Sequence, residues 1–365
     1  MYESLPTPAV VVELNAVENN IRSMLEGAAR CQIAHRPHVK SHRSVQMAKM
    51  QLALGAKGIT CAKLGEAEVM ADAGIDDILI AYSLIGEEKW ERYARLFERC
   101  RMLRTMINSE YGAKCLSDTA KRYGRVFEVL VELDGGTRRG GLLPGEAALQ
   151  FAESVRKYDG IKIVGLLYYP GRSYHEETLE GIERVARQER DELIGTARLL
   201  KNAGFDCSIL SGGNTVTGKV PECLVGITEI RSGNYIFNDC AQLWKNRVTE
   251  EDCALRIVST VIAKPDAANA ILDCGTKTMS GDNLTPEHPR FGYIIGHPDA
   301  IIWNLNEEHG FVRSREGALD LAVGDRVVII PNHACVVPNL AGALYGMRGG
   351  VFSEMIRVDA QSRSD

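Results

Sequence analysis

The chain has 365 residues, a length that exceeds one ordinary core and suits a barrel of about 250 residues with a second domain. Its composition, 45% hydrophobic and 25% charged with a net charge of −5, is that of a globular protein and offers no basic surface for nucleic acid. No apolar run approaches the roughly 20 residues that span a bilayer, and the first residues lack the basic and apolar regions of a secretion signal, so we expect neither membrane association nor export.

Ten cysteines are scattered along the chain without the spacing of a disulfide framework. Several lie within apolar runs, as Cys61 and Cys274 do, where a reduced thiol serves as a small hydrophobic group. This usage predicts a reducing compartment, the cytoplasm.

Short β-branched runs alternate with helical stretches after a first strand at 9–14. The clearest helix is 181–203, where Ile182, Val185 and Ile194 belong to a helical apolar pattern. The eight candidate strands are 33–40, 58–63, 77–82, 104–108, 127–134, 161–169, 207–211 and 229–232. Eight such units predict an α/β fold, a (β/α)8 TIM barrel over residues 15–245.

From about residue 254 the pattern changes to short strands separated by Gly, Pro, Asn and Asp turns. The candidate strands are 255–263, 270–273, 292–295, 300–304, 310–314, 326–330 and 350–358. Because helical periodicity is scarce here, we predict a C-terminal antiparallel β domain over 246–365.

His333 and Cys335 follow the apolar run 326–330 and are separated by one residue. On an extended segment two such side chains point to the same side. An imidazole and a thiolate suit a borderline-soft cation such as Zn²⁺, and two protein ligands leave coordination positions open for water or substrate. Taken alone, the pair is more typical of packing residues or polar loop residues at a strand end.

Lys40 stands where the first barrel strand is predicted to end, and barrel enzymes carry catalytic groups at such positions. A shielded lysine there can act as a Schiff-base nucleophile. The alternative is an ordinary solvated lysine between His38 and His42.

Four motifs in order resemble those of one enzyme family: RPHVKSH at 36–42, CAKLGEAE at 61–68, RSGNYIFND at 231–239 and PNHAC at 331–335. The chain resembles the D-serine dehydratase and D-threonine aldolase family, pyridoxal 5'-phosphate (PLP) enzymes that share the alanine-racemase fold. The resemblance implies the barrel and β domain predicted above, with strand 1–14 joining the β domain. It also implies that Lys40 is the PLP lysine and that His333 and Cys335 bind a divalent metal, Zn²⁺ first, with Mn²⁺ or Mg²⁺ as alternatives.

The phosphate of PLP is predicted to bind after the seventh and eighth strands, where barrels commonly hold phosphate. Small residues there let backbone N–H groups approach phosphate oxygens, and Thr215 can add its hydroxyl. The residues concerned are Ser211, Gly212, Gly213, Asn214 and Thr215 after strand seven, and Gly233, Asn234 and Tyr235 after strand eight.

The resemblance implies further contacts with the cofactor. Arg139 matches an arginine near the phenolic oxygen of PLP, with Arg138 beside it as an alternative. Arg231 could face the pyridine nitrogen or form a salt bridge with Glu229 or Asp239. Tyr169 is a candidate ring contact or proton donor.

Substrate contacts are predicted at Tyr174, at Arg172, which stands where the family often has His, and at Asp273. Dimers of this fold often bring the β domain of one subunit against the barrel of the other. We therefore expect a homodimer, in which Asp273, Lys277 and Asp282 either act in trans or remain exposed structural residues.

The predicted function is that of an enzyme, a PLP- and metal-dependent lyase whose small-molecule substrates are 3-hydroxy-D-amino acids. Cys335 favours β-elimination of the D-serine dehydratase type, to a 2-oxo acid and ammonia, because aldolases of the family tend to have a carboxylate at this position. Retro-aldol cleavage to glycine and an aldehyde, as in D-threonine aldolase, is the first alternative. An amino-acid racemase and a non-catalytic PLP-binding protein are the others.

Overall fold

The computed structural model describes residues 2–282 and 290–365, which divide into two compact units. We call Ser23–Lys40, Met47–Gly233 and Arg363–Asp365 the barrel unit. The sheet unit comprises residues 2–22, Ser41–Gln46, 234–282 and 290–362. No helix of the described residues is both long enough and apolar enough to cross a membrane.

Strands and helices alternate along the first two thirds of the chain. In chain order they are β1 (Ala9–Glu13), α1 (Leu14–Arg30), β2 (Ala34–His35), α2 (Val45–Ala53), β3 (Ile59–Cys61), α3 (Leu64–Asp72), β4 (Asp77–Ser83), α4 (Glu87–Phe97), β5 (Met102–Ile107), α5 (Glu110–Arg122), β6 (Phe127–Leu133), α6 (Glu146–Val155), β7 (Ile161–Tyr168), α7 (Leu179–Asn202), β8 (Ile209–Gly212) and β9 (Glu229–Ile230).

Strands dominate the last third. The elements there are α8 (Cys240–Leu243), β10 (Leu255–Asp266), β11 (Asn269–Leu272), α9 (Thr276–Met279), β12 (Tyr293–Ile294), β13 (Ala300–Leu305), β14 (Gly310–Ser314), β15 (Arg326–Ile330), α10 (Val337–Ala341), β16 (Ala343–Arg348) and β17 (Val351–Arg357).

The barrel unit contains an eight-stranded parallel sheet in the order β2-β9-β8-β7-β6-β5-β4-β3. A parallel bridge between His38, just after β2, and Thr60 in β3 joins the two ends of this order and closes the sheet. The predicted TIM barrel is thereby confirmed.

The strands of the barrel are apolar because helices cover the outer face of a parallel barrel and side chains fill its interior. One core cluster joins Leu79, Met106, Leu130, Val164 and Leu167. Outside the barrel, α7 buries residues of one face, including Val185, Leu193 and Leu200. The hydroxyl of Thr178 accepts a hydrogen bond from Gly181 N–H and caps the start of this helix.

The sheet unit contains a nine-stranded, largely antiparallel sheet, as the β domain was predicted to do. Its main path runs β13-β14-β11-β10-β1-β16-β17, while β15 pairs with β10 and β12. Strand β1 lies between β10, to which it is antiparallel, and β16, to which it is parallel. The N-terminal strand therefore belongs to this sheet.

The two units differ from the predicted ranges 15–245 and 246–365 in residues 363–365, which belong to the barrel unit, and in the segments 15–22, 41–46 and 234–245, which belong to the sheet unit. Hydrogen bonds join the segment 234–245 to the end of β15 and the residue that follows it. In the last of these segments, Cys240 N–H donates to Pro331 O over 3.1 Å, and the Cys240 thiol donates to Ile330 O over 3.1 Å.

Candidate active site

Asn214 ties together the loops that follow β7, β8 and β9 at the carboxyl end of the barrel. Its Nδ2 donates to Pro170 O over 3.1 Å and to Ser173 Oγ over 2.9 Å. Ser232 Oγ donates to the backbone oxygen of Asn214 over 2.8 Å. The Oδ1 of Asn214 also accepts the N–H of Val216 over 2.8 Å. One buried amide thus fixes the loop predicted to bind phosphate.

Two of the predicted phosphate-binding residues have partners inside the barrel unit. Ser211 Oγ donates to Glu229 Oε1 over 2.8 Å, and Gly213 N–H donates to Glu189 Oε1 over 2.6 Å. Gly213 has a φ of +70°, and a Cβ there would lie 2.7 Å from the Ile230 side chain. Only glycine fits this tight turn.

Glu189 on α7 is a buried carboxyl that the sequence analysis did not single out. Burial raises its pKa to about 7, although the hydrogen bond from Gly213 N–H lowers it. Its Oε2 has no hydrogen-bond partner among the described residues. The spacing in the sequence could have indicated its burial. Glu189 lies four positions after Val185 and four before Leu193, both of which are buried residues of α7.

The titration of His38 is affected by three cations, Lys40 and the predicted cofactor-binding residues Arg139 and Arg231. Burial lowers the pKa of His38 well below its usual range, and the charges of Lys40, Arg231 and Arg139 lower it further. Lys40 itself is exposed, in the 3₁₀ turn Val39–Ser41. The barrel unit therefore gathers cations beside the end of β2.

Arg231 is buried, and one nitrogen of its guanidinium donates to the backbone oxygen of Tyr168. Its Nε has no hydrogen-bond partner among the residues described. The salt bridge considered for it with Glu229 is made instead by Arg36, whose Nε lies 3.0 Å from Glu229 Oε2. Arg231 therefore retains a buried donor in the barrel.

Arg139 and Tyr169 are in direct contact. The guanidinium carbon of Arg139 lies 4.5 Å from the centre of the Tyr169 ring, a cation–π contact. The alternative residue Arg138 has a φ of +52°, and its N–H donates to Asp134 Oδ1 over 3.1 Å.

Arg172 and Tyr174 lie in the 3₁₀ turn Gly171–His175 after β7, and both side chains are half-buried. The Nε of Arg172 is buried without a hydrogen-bond partner in the described part of the chain. The turn is fixed beside it, because Ser173 is held by Asn214.

His333 and Cys335 meet in the sheet unit. Cys335 acts on the His333 imidazole and raises its pKa, and Cys335 Sγ lies 3.1 Å from Ser41 Oγ. His333 Nδ1 lies 2.7 Å from Asp282 Oδ2. The segment is a turn between β15 and α10 and not the extended strand end that the sequence suggested.

Asp239 explains this turn. Its Oδ2 accepts hydrogen bonds from Ala334 N–H over 3.0 Å and from Asn234 Nδ2 over 2.6 Å. Burial raises the pKa of Asp239, and its Oδ1 has no hydrogen-bond partner among the described residues. The carboxylate therefore holds the backbone between His333 and Cys335.

The His333 imidazole is protonated over a wide pH range in this arrangement. Burial lowers its pKa, but Cys335, Asp239 and Asp282 together raise it to about 10. Within residues 2–282 and 290–365, no three His, Cys, Asp or Glu side chains form a group that could hold a metal ion by themselves.

Other predicted residues of the sheet unit have local partners. Asp273 Oδ1 accepts hydrogen bonds from Ser259 Oγ over 2.6 Å and Thr260 N–H over 2.9 Å, while Lys277 Nζ lies 2.9 Å from Glu308 Oε1. Tyr235 is buried. Asp273 and Lys277 thus have partners within their own unit.

Two family models match the chain, one over each part. The alanine racemase N-terminal domain matches residues 12–240, and the putative serine dehydratase domain matches residues 254–347. The first match covers more than half of the chain.

Known proteins resemble the chain over nearly all of its length. D-threo-3-hydroxyaspartate dehydratase of Delftia sp. (strain HT23) is 33% identical over 91% of this chain and 91% of its own length. D-threonine aldolase of Arthrobacter sp. is 31% identical over 98% of this chain and 93% of its own. A metal-free cysteine-to-alanine mutant of D-threo-3-hydroxyaspartate dehydratase has a solved structure with 29% identity, a TM-score of 0.90 and 97% coverage of both chains. The chain therefore belongs to the alanine racemase N-terminal domain family, among the dehydratases and aldolases that its four motifs resemble.

Proposed function

We propose that this enzyme is a PLP-dependent lyase of 3-hydroxy-D-amino acids that eliminates the β-hydroxyl to give a 2-oxo acid and ammonia. Its relatives include a dehydratase and an aldolase, both lyases. The observation that carries the proposal is the set of cations near His38, namely Lys40, Arg139 and Arg231. Such a set suits a cofactor that carries a phosphate and a phenolic oxygen.

The residues of the barrel unit fit PLP. Arg231 has a buried Nε donor without a partner in the described chain, which suits an acceptor such as the pyridine nitrogen. We assign the phosphate to the loop after β8, which Asn214 holds and which turns at Gly213. We assign covalent attachment of PLP to Lys40 and contact with the phenolic oxygen to Arg139.

His333 and Cys335 fit a divalent metal. Imidazole nitrogen and thiolate sulfur are donors that Zn²⁺ accepts readily, so Zn²⁺ is the first candidate and Mn²⁺ or Mg²⁺ the alternatives. The contact of His333 Nδ1 with Asp282 leaves Nε2 as the metal-binding nitrogen, and a carboxylate on the other ring nitrogen is usual for metal-bound histidines.

The protein residues then have separate tasks. When bound, PLP withdraws electrons from the substrate α-carbon, and the metal acts as a Lewis acid on the β-oxygen. Lys40 Nζ removes the α-proton. To Tyr169, which contacts Arg139, we assign donation of a proton to the leaving oxygen. Loss of the α-proton and the β-hydroxyl leaves an enamine. Its imine tautomer is hydrolysed by water to the 2-oxo acid and ammonia that are proposed as products.

Retro-aldol cleavage is the second candidate, favoured by the 31% identity to D-threonine aldolase. It would break the bond between the α- and β-carbons after the β-hydroxyl loses its proton. Cys335 favours elimination, since the resemblance places a carboxylate there in aldolases.

Product analysis distinguishes the two reactions. PLP-loaded enzyme is incubated with D-serine, D-threonine and D-threo-3-hydroxyaspartate, with and without chelator. Pyruvate, 2-oxobutyrate or oxaloacetate identifies elimination, whereas glycine with an aldehyde or glyoxylate identifies cleavage, and formation of the enantiomer identifies a racemase. Absence of all products from protein that has bound PLP would contradict the proposed lyase function; Lys40→Ala is the control.

We also propose that the enzyme is a cytoplasmic homodimer. None of the ten cysteines, all of which lie in the described part of the chain, forms a disulfide, and this supports a reducing compartment. Light scattering of the active enzyme tests the dimer, and a fully active monomer would contradict it.

A further inference from the structure

Arg172 is a half-buried cation for which the described part of the chain offers no ion-pair partner. Its Nε is buried and has no hydrogen-bond partner, and no carboxylate among residues 2–282 and 290–365 forms an ion pair with it. Burying a donor of a charged group without a partner is unfavourable. A ligand that supplies the missing acceptor would remove this penalty.

The neighbouring loop is shaped around the Arg172 side chain. Gly136, in the loop after β6, has a φ of +87°, and a Cβ there would lie 2.7 Å from both Cδ and Nε of Arg172. Any larger residue at 136 would therefore displace the arginine. The same loop carries Arg139, which stacks on Tyr169.

Two carboxylates of the neighbouring segments, Asp134 and Glu192, accept hydrogen bonds from other groups. Asp134 Oδ1 accepts the N–H groups of Gly136 over 3.0 Å and Thr137 over 3.1 Å. Glu192 Oε2 accepts the hydroxyl of Tyr168 over 2.6 Å. The backbone that carries Arg172 is also fixed, because Asn214 Nδ2 donates to Pro170 O on one side and to Ser173 Oγ on the other. Arg172 is thus held at the carboxyl end of the barrel, where barrel enzymes bind substrate.

We infer that Arg172 binds a second carboxylate of the substrate, so that the preferred substrates are 3-hydroxy-D-amino acids with an acidic side chain, of the 3-hydroxyaspartate type. This inference rests on the proposed function. A guanidinium binds a carboxylate through two parallel hydrogen bonds, which a lysine cannot reproduce. Substrates without the second carboxylate, such as D-serine, leave the guanidinium unpaired and are used less well.

The test compares the PLP-loaded enzyme with Arg172→Met and Arg172→Lys. The wild type is expected to have its highest kcat/KM with a 3-hydroxy-D-aspartate. Arg172→Met should lower that value by about 100-fold and change kcat/KM for D-serine by less than about 3-fold, with Arg172→Lys between them. Arg187→Met is the matched control, because Arg187 is an exposed residue of α7 whose partner is Glu183 in the same helix.

A binding measurement keeps this inference separate from the proposed function. D-Aspartate and D-alanine lack a β-hydroxyl, so their binding to PLP-loaded enzyme is measured without turnover, by calorimetry. Arg172→Met should weaken D-aspartate by about 100-fold and leave D-alanine unchanged. Equal loss for both ligands, a wild-type preference for D-serine, or loss of bound PLP in Arg172→Met would each overturn the assignment. Failure of all lyase assays with selective D-aspartate binding intact would reject the reaction and retain the role of Arg172.

Discussion

The sulfur of Cys335 lies 3.1 Å from the hydroxyl of Ser41, the residue that directly follows Lys40 in the chain. Cys335 also raises the pKa of His333, its partner in the proposed metal site. The residue next to the proposed PLP lysine is thus a neighbour of a proposed metal ligand. Substitutions at Cys335 test whether metal binding can be separated from PLP binding.

Cys335→Ala should lose metal and lyase activity while it retains PLP, because Lys40 and the loop after β8 hold the cofactor. Loss of a ligand or of its support typically costs about 10- to 100-fold in affinity or activity. Metal content by plasma mass spectrometry and PLP content by absorbance measure the two effects. Ser41→Ala is the control, since it removes the hydroxyl contact and keeps the thiol. Undiminished, chelator-insensitive activity of Cys335→Ala would show that the pair is structural.

Cys335→Asp changes the donor and keeps the position. A hard carboxylate should favour Mn²⁺ or Mg²⁺ over Zn²⁺. Products should shift from elimination toward cleavage, measured as the ratio of 2-oxo acid to glycine. If the variant binds metal and the ratio of 2-oxo acid to glycine is unchanged, residue 335 does not determine the type of reaction.

Lys40 should carry the cofactor. Borohydride reduction followed by peptide mapping is expected to place the pyridoxyl label on the peptide that contains Lys40, because this lysine lies in the 3₁₀ turn after β2 and acts on His38 together with Arg139 and Arg231. Lys63, whose ammonium lies 3.8 Å from the Tyr82 ring centre, is the internal control and should stay unlabelled. A label on Lys63, or on any lysine except Lys40, contradicts the assignment.

Asp282→Asn should weaken metal binding without removing a ligand. The carboxylate holds His333 Nδ1 over 2.7 Å and so directs the other ring nitrogen. Changes at such supporting groups typically cost about 10- to 100-fold in metal affinity. Competition with a coloured chelator measures the affinity, and Asp273→Asn, which alters a carboxylate bound to Ser259, is the comparison. Equal affinities of wild type and Asp282→Asn would exclude the supporting role.

Glu189 should make stability fall as pH rises. Burial raises its folded-state pKa from 4.5 to about 7, so the folded chain binds the extra proton between these pH values and loses stability as the pH increases through that window. The side chain of Glu189→Gln cannot ionise. The free energy of unfolding of this variant minus that of the wild type should therefore increase by about 2–3 kcal/mol from pH 5 to pH 8. Urea unfolding at several pH values measures the difference.

The control for this experiment is Glu180→Gln, which alters an exposed carboxylate in the first turn of the same helix. Parallel pH profiles of wild type and Glu189→Gln would mean that Glu189 is ionised in the folded protein.

The barrel and most strands of the sheet could be predicted from the sequence. Buried parallel strands are runs of β-branched residues, whereas apolar residues recur every three to four positions in a helix. The predicted bounds 310–314 and 326–330 agree with β14 and β15. Strand β16 was not predicted, since Ala343–Arg348 contains a glycine and follows the proline-containing helix α10. The predicted strand 33–40 proved to be only Ala34–His35 and a 3₁₀ turn.

The supporting groups of the site could not be predicted, because they depend on contacts between distant positions. Asp239 accepts a hydrogen bond from Ala334 N–H, and Asp282 contacts the His333 imidazole. In both pairs the two residues are far apart in the sequence, and no sequence pattern links them. Motifs identify residues such as Lys40, His333 and Cys335 by their order along the chain. They do not reveal which carboxylate orients them.

The central position of β1 in its sheet has a consequence for synthesis on the ribosome. Strand β1 emerges first, but its partners β10 and β16 follow only after roughly 240 and 330 residues, or tens of seconds at about 5–20 residues per second. During that time the run Ala9-Val-Val-Val12 has both edges open, and an apolar strand in this state is prone to pair with other chains. We therefore expect nascent copies of this enzyme to be prone to pair with one another until the second half of the chain has emerged.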